Sequence, residues 1–289
     1  MALNKEVFRV RAISALVFVL VMLAGLLWNH WSFFVLFSII HFGCWWEYMN
    51  LVEKIHGGVL NRYLRFGLMF SGFAIMLSFC GPAYAIMGYG LKQNLCLPFA
   101  VAGFILLVAG IFQKQKFSLK SFAAAALGWL YISAVWGMML GLRQYGMVFK
   151  GPGLFADLGK ILPIILIASI WINDTMAYIV GSFIGKTPFS KISPKKTWEG
   201  TIGGAILCVV VMSLAAHYLF DFSWLISIVV PLIAAIVGTA GDLLESKIKR
   251  MADVKDSGNM MPGHGGFMDR FDSLLLATPF VWLFIELVG

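Results

Sequence analysis

The chain reads as an all-α, polytopic integral membrane protein, and three observations carry that expectation. Of its 289 residues, 60% are hydrophobic and only 12% are charged, with a mean hydropathy of +0.87. A soluble globular chain carries about 25% charged residues, so too few polar groups remain here to cover a surface facing water. The apolar residues fall in stretches of the length that a spanning helix needs, about 20 residues. The basic residues gather in the short connections between those stretches, where they report topology and headgroup contact rather than nucleic acid. The net charge of +8 is therefore no argument for a nucleic-acid partner.

Nine spans are expected, near 12–28, 31–49, 64–82, 95–113, 121–142, 161–184, 201–220, 224–244 and 272–288. Lys5, Arg9 and Arg11 precede the first, as in a signal peptide, but no small-residue cleavage site precedes Trp28. That stretch reads as an uncleaved first helix, joined tightly to the second through Asn29 and His30. Residues 81–90 either extend the third span or form an interfacial piece. Pro163, Pro231 and Pro279 fall inside spans, where neighbouring helices can satisfy the freed carbonyls. With the N-terminus cytoplasmic and the C-terminus outside, 18 of the 22 Lys and Arg lie on the inner side. Only Lys92, Arg143, Lys150 and Lys160 then lie outside, the asymmetry that the positive-inside rule demands. No soluble block interrupts residues 1–289, so a single integral domain is expected, with N-terminal helices to about 120 and a catalytic part over 121–289.

Cys44, Cys80, Cys96 and Cys208 are scattered through apolar runs without a C-x-x-C pair, and act as small hydrophobes. His30, His41, His56 and His217 show no ligand spacing and are read as structural. Acidic residues contribute little to orientation, so their placement is free to report chemistry.

Six of the fourteen acidic residues fall between positions 242 and 272. Asp242 sits at the inner end of one apolar span, and Asp269 and Asp272 open the next. Carboxylates at the edge of hydrocarbon are costly and mark function. Asp242, Glu245 and Ser246 share one helical face at i, i+3 and i+4, and Asp269, Asp272 and Ser273 repeat the arrangement. Hard oxygen donors of this kind suit Mg²⁺, which takes one or two carboxylates and completes its shell with water and phosphate oxygens. Between them Pro262-Gly263-His264-Gly265-Gly266 forms a glycine-rich turn, through which backbone N–H groups can approach an anion.

A second cluster runs from Trp171 to Gly204. Asp174 lies near the middle of the sixth span and needs a cation, a metal or a polar cavity. Gly181 and Gly185, four apart, mark close helix packing instead. The next loop carries Ser193, Lys195, Lys196 and Thr197 just before a helix N-terminus, a phosphate cradle by composition. Glu47, at the inner end of the second span, reads equally as an interfacial anchor or as support for the site.

The segment Ser246–Asp272, with Ser246-Lys247-Ile248-Lys249-Arg250, Lys255-Asp256-Ser257-Gly258 and Pro262 to Asp272, resembles the 27-residue signature of phosphatidate cytidylyltransferases, the CDP-diacylglycerol synthases. Asp174-x-x-Ala177-Tyr178-x-x-Gly181 and the Ser193-Pro194-Lys195-Lys196-Thr197-x-Glu199-Gly200 loop also look like that family's. Met261 departs from the family's Leu, Ile or Phe, a swap that conserves volume. The N-terminal third matches in hydropathy and little else, apart from Glu47.

The resemblance implies an enzyme that converts CTP and phosphatidate to CDP-diacylglycerol and pyrophosphate, with Mg²⁺ and a second cation, potassium. It implies an active site facing the cytoplasm from the inner membrane, and leaves room for a homodimer. On that basis Asp242 and Asp269 would hold the metal, with Asp272 and Asp174 in its immediate surroundings. Lys195, Lys196, Lys249, Arg250 and Arg270 would bind the triphosphate and the lipid phosphate. Ser193, Thr197 and Ser246 would add hydrogen bonds, while His264, Lys255, Gly265 and Gly266 complete the expected site. The competing readings are a CTP-dependent lipid kinase, a cytidylyltransferase for another lipid, and an ion or metabolite transporter.

Overall fold

The computed structural model describes residues 5–113, 117–148, 158–190, 192–260 and 265–288. Almost all of them are helical. The helices are α1 (Lys5–Leu27), α2 (His30–His56), α3 (Arg62–Ser78), α4 (Leu91–Ile111), α5 (Leu119–Ala126) and α6 (Val135–Val148). They continue with α7 (Leu158–Ile184), α8 (Trp198–Phe220), α9 (Trp224–Met251) and α10 (Met268–Val288). A π-helical turn at Trp129–Ala134 lies between α5 and α6.

Among the described residues, six helical stretches are long and apolar enough to cross a membrane. They are Leu91–Ile111, Leu119–Tyr145, Gly159–Ile184, Trp198–Phe220, Trp224–Met251 and Met268–Val288. The protein is therefore helical, multi-pass and membrane-embedded. The three other expected spans coincide with helices of a different character. The apolar part of α1, Ala12–Leu27, is shorter, and α3 has 17 residues. Helix α2 has 27 residues, but its histidines, serines and Glu47 lower its hydropathy. It can carry them because Phe33, Phe37, His41, Trp45 and Glu47 are all buried in protein.

The chain folds as two compact units, each drawn from separate segments. The first comprises Met1–Gly141 and Ile248–Phe271, the second Leu142–Lys247 and Asp272–Gly289. In the first unit, α3 and α4 pack closely because glycines let their backbones meet. A Cβ at Gly103 would stand 2.6 Å from Ser71 N and 3.0 Å from Gly67 O. Buried polar groups are paired around the π-turn: Trp45 Nε1 donates to Ser133 Oγ at 2.8 Å, and His41 Nε2 lies 3.0 Å from the same hydroxyl. Residues 81–90 do not extend the third span. They hold a two-residue hairpin, Ala85–Ile86 against Tyr89–Gly90, turning through Met87 (φ 50°) and Gly88 (φ 84°). Positive φ at both turn residues suits the tight hairpin turn that matches strand twist.

In the second unit, α7 packs on α8, again through glycine. A Cβ at Gly204 would stand 2.5 Å from Ala177 N, and one at Gly200 would stand 2.7 Å from Ala177 O. Helix α9 runs to Met251, about two turns beyond the apolar stretch that ends near 244. The hydrophobic pattern stops there, but backbone bonding does not. The helix closes with Ala252 N donating to Ile248 O at 3.1 Å and Asp253 turning into the left-handed region at φ 54°.

Gly103→Val should destabilise the protein by about 1–3 kcal/mol, because overpacking here meets the backbone of Ser71 and Gly67 as well as the Ser71 hydroxyl. Thermal unfolding in detergent reads this as a lowered Tm, whereas Leu97→Val on the exposed side of α4 should leave Tm unchanged.

Candidate functional site

The connection after α7 folds back on itself to present its lysines. Phe189 N donates to Lys196 O at 2.8 Å and Trp198 N to Thr187 O at 2.9 Å, and the turn closes with Lys196 N donating to Ser193 O at 3.1 Å. Glu199, in the first turn of α8, accepts from Lys186 N and Thr187 N at 3.1 Å. Thr197 caps α8, its Oγ1 accepting from Gly200 N at 3.2 Å. Two of the four residues read as a phosphate cradle, Ser193 and Thr197, thus also build the loop. Thr197, Lys195 and Lys196 line a cavity of about 380 Å³ with Asp174, Tyr178 and Asp242. Gly181 and Gly185 serve close packing, as their spacing predicts: a Cβ at Gly185 would stand 2.6 Å from Thr197 Oγ1.

Inside that cavity Lys196 Nζ approaches Asp242 Oδ2 to 2.6 Å. The contact is an ion pair rather than an aligned hydrogen bond, since Asp242 Oδ2 has no hydrogen-bond partner. Asp174 interacts electrostatically with both members of the pair. Gly241 explains how a further carboxylate arrives. A Cβ there would stand 2.7 Å from Asp272 O, so only glycine lets α9 and α10 approach at this level. Asp272 in consequence stands close enough to Asp242 and to Glu245, which is fully buried, for their charges to act on it. Carboxylates placed this close repel unless a proton or a cation stands between them.

The chemistry of this donor set fits Mg²⁺. Asp174, Asp242 and Asp272 supply hard oxygens, and the ion typically needs only one or two of them beside phosphate and water. Among the described residues, no three His, Cys, Asp or Glu side chains are drawn together into a metal cage. A cation here would be completed by phosphate oxygens.

The glycine-rich segment of the first unit has a different arrangement. Asp269 Oδ1 accepts from Lys249 Nζ at 2.6 Å, and Oδ2 accepts from Ser257 N at 2.8 Å and Gly266 N at 2.7 Å. Glu47, from α2, accepts from Phe267 N at 2.8 Å and Met268 N at 2.9 Å, capping the start of α10. Ser257 Oγ lies 2.7 Å from Glu47 Oε2 and 2.9 Å from Asp269 Oδ2, so its single proton serves one at a time. The glycines make room: a Cβ at Gly258 would stand 2.6 Å from Glu47 Cδ, and one at Gly265 would stand 2.6 Å from Asp269 Oδ2. Among the described residues of this segment, Gly266, Phe267 and Met268 give their N–H groups to the protein's own carboxylates. Glu47, read from the sequence as an interfacial anchor or as support for the site, is buried and bonded to the segment that carries Asp269.

Asp242 and Asp269 belong to different units, and each is understood through its own neighbours. Arg250 is exposed, with Nη1 donating to Val254 O at 3.3 Å, and Arg270 and Lys255 are exposed. Ser246 is half-buried on α9. His264 lies outside the described residues. Glu199, as the brace of the lysine loop, and Ser257, as the link between two carboxylates, carry structural weight that the sequence reading did not assign. Glu199 had a signal, an acidic residue at N2 of a helix, but that position suits any helix start.

A model described as the cytidylyltransferase family matches residues 9–288. The chain belongs to that family. Among its relatives is a phosphatidate cytidylyltransferase of Synechocystis sp., 44% identical over 131 residues, which are 45% of each chain. Another of the same name, from Bacillus subtilis, is 34% identical over 190 residues, 63% of this chain and 65% of the relative. Phosphatidate cytidylyltransferase 4, chloroplastic, of Arabidopsis thaliana is 36% identical over 156 residues, 54% of this chain and 37% of the relative. The chain spans less than two thirds of the length of these relatives. Membership in the cytidylyltransferase family accords with a cavity lined by two lysines and two carboxylates, Lys195, Lys196, Asp174 and Asp242.

Glu47→Ala would strip the acceptor from Phe267 N, Met268 N and Ser257. Leaving buried donors unpaired costs about 1–3 kcal/mol, so Tm in detergent should fall and protease cleavage within 252–260 should accelerate. Glu47→Gln, which keeps one carbonyl oxygen, should fall between the variant and the parent in both readouts.

Proposed function

We propose that the protein is a phosphatidate cytidylyltransferase, transferring CMP from CTP to phosphatidate with release of pyrophosphate. The observation that carries the reading is the cavity in which Lys195 and Lys196 face Asp174 and Asp242, within a chain of the cytidylyltransferase family. In this reading the triphosphate displaces Asp242 from Lys196, and both lysines neutralise its oxygens. A bound Mg²⁺ would supply the charge that lets Asp242 and Asp272 stand together and would polarise the α-phosphate. Attack on the α-phosphorus gathers negative charge, so positioning and neutralisation carry most of the rate. The attacking lipid phosphate is already ionised, and no covalent intermediate is needed. Asp269 would share the metal through Oδ1, beside the Lys249 ammonium that it already accepts from. A second cation of the potassium kind belongs to the same proposal.

For topology we propose nine crossings with the N-terminus cytoplasmic, the C-terminus outside and the site facing the cytoplasm from the inner membrane. The support is the 18-to-4 distribution of Lys and Arg and the cytosolic supply of CTP.

Purified protein with labelled CTP and phosphatidate should release pyrophosphate and form a lipid bearing CMP, in a Mg²⁺-dependent way. Release of CDP with a phosphorylated lipid would replace the reading with a kinase. Asp242→Asn should lower kcat/KM by about 10²-fold or more, as removal of a group stabilising developing charge does. Lys196→Met should raise the KM for CTP at least about tenfold, the loss of one charge-assisted contact. Asp269→Asn with Mg²⁺ titrated tests the remaining carboxylate: unchanged activity and metal dependence would remove it from the ligand set.

A further inference from the structure

The lysines and acids account for one end of the cavity in the second unit, and its other end is left without a task. Among the described residues that line it, Tyr178 supplies the only aromatic ring, and Ser182 supplies a hydroxyl. Asp174, Tyr178 and Ser182 follow one another at intervals of four along α7, so they share a face, each about 6 Å along the axis from the last. Asp174 interacts with Lys196 and Asp242, which fixes the charged end at its level. The lining therefore changes along α7 from carboxylate to ring to hydroxyl.

Packing explains neither of the last two. Tyr178 is 78% exposed, and a ring turned towards lipid near the end of a span would be an ordinary interfacial anchor. This ring instead borders a space that it shares with two lysines and two aspartates. A flat, open π-face beside groups that bind phosphate is what a nucleobase stacks on. The Ser182 hydroxyl is more particular. Its Oγ donates to Ile179 O at 2.7 Å, so its one proton is committed to its own helix and its lone pairs are what a ligand meets. Cytosine carries an amino donor at the position where uracil carries a carbonyl acceptor. A hydroxyl that can only accept matches the first and sets lone pair against lone pair with the second. Turning the proton outward would forfeit the bond to Ile179, which puts the selectivity at the worth of one neutral hydrogen bond, about tenfold.

We infer that Tyr178 and Ser182 form the nucleobase end of the cavity, with the ring beneath the cytosine and the Ser182 hydroxyl accepting from its amino group. The inference rests on the proposed function and adds to it the residues that tell CTP from UTP. With the triphosphate on Lys195 and Lys196, a base one helical turn beyond Asp174 lies within the reach of a ribose. The ring gives affinity without choosing a base, since every base has a π-face. The hydroxyl makes the choice. Neither group touches the reacting phosphorus, so both act on KM and not on kcat.

The test is kinetic, on the full chain in mixed micelles containing phosphatidate, with pyrophosphate release followed for CTP and for UTP. The parent should prefer CTP in kcat/KM by at least about tenfold, and Ser182→Ala should lower that ratio about tenfold. Tyr178→Leu should raise the KM for CTP about tenfold, the loss of one stacked base, with kcat and the KM for phosphatidate unchanged. Tyr178→Phe keeps the ring and should behave as the parent does. So should Phe183→Leu, since Phe183 is 84% exposed and lies outside the lining of the cavity. A CTP-to-UTP ratio untouched by Ser182→Ala would overturn the inference, as would a parent that uses UTP as readily as CTP. A KM that rises in Tyr178→Leu for phosphatidate rather than for CTP would also overturn it and assign the ring to the lipid headgroup. Each of these leaves the proposed function standing, whereas a parent that forms no lipid bearing CMP defeats that function and this inference together.

Discussion

A carboxylate in a chain this apolar must be met by a cation, by a proton or by a set of N–H donors, and which of these meets it decides what it can do. The protein shows two of these solutions side by side in sequence. Asp269 is met by Lys249 Nζ, Ser257 and Gly266 N, and Glu47 by Ser257 and two backbone N–H groups. Such carboxylates are neutralised within the fold and fix it. Asp242 and Asp272 are instead set against each other, with one lysine and another aspartate nearby. Such carboxylates repel unless a proton or a cation stands between them.

Glycine is the means by which each solution is reached. At Gly258 and Gly265 the missing Cβ leaves space for the carboxylates of Glu47 and Asp269. At Gly241 it lets the backbone of α10 come within contact at Asp272. A composition argument sees only a glycine-rich loop and a helix that is poor at its end. The structure shows glycines that make room for particular acidic side chains, and for the backbone of a neighbouring helix.

Much of this was legible beforehand, and the reasons differ by residue. The helical, multi-pass character followed from hydropathy and length, since backbone satisfaction in lipid leaves few alternatives. The pairing of Lys196 with Asp242 lay within the two clusters that the sequence singled out. Glu47 was harder, because it is more than two hundred residues from Ser257 and Phe267 in the chain. Its burial beside a distant turn leaves no local periodic trace. The end of α9 was misplaced because hydrophobic periodicity stops near 244 while helical bonding continues through Lys249 and Arg250 on polar residues that favour helix. Helices α2 and α3 were read as spans of the same kind as the rest. Protein burial lets α2 keep histidine, serine and glutamate that lipid would not tolerate.

Spacing alone would assign Asp269 and Asp272 the same role, because residues three apart on a helix share a face. Their partners argue otherwise. Asp269 Oδ2 accepts from Ser257 N, from Gly266 N and from the Ser257 hydroxyl that it shares with Glu47, and releasing it would unpair the two backbone donors. Asp272 lies against another acid, Asp242, and accepts from the adjacent Ser273 N at 2.6 Å. A group whose lone pairs are already spoken for by the backbone is a poor exchange partner for substrate, whereas one held against a like charge gains whenever a cation arrives. In the proposed reaction, two aspartates one helical turn apart would differ in role through the donors around them, not through their register.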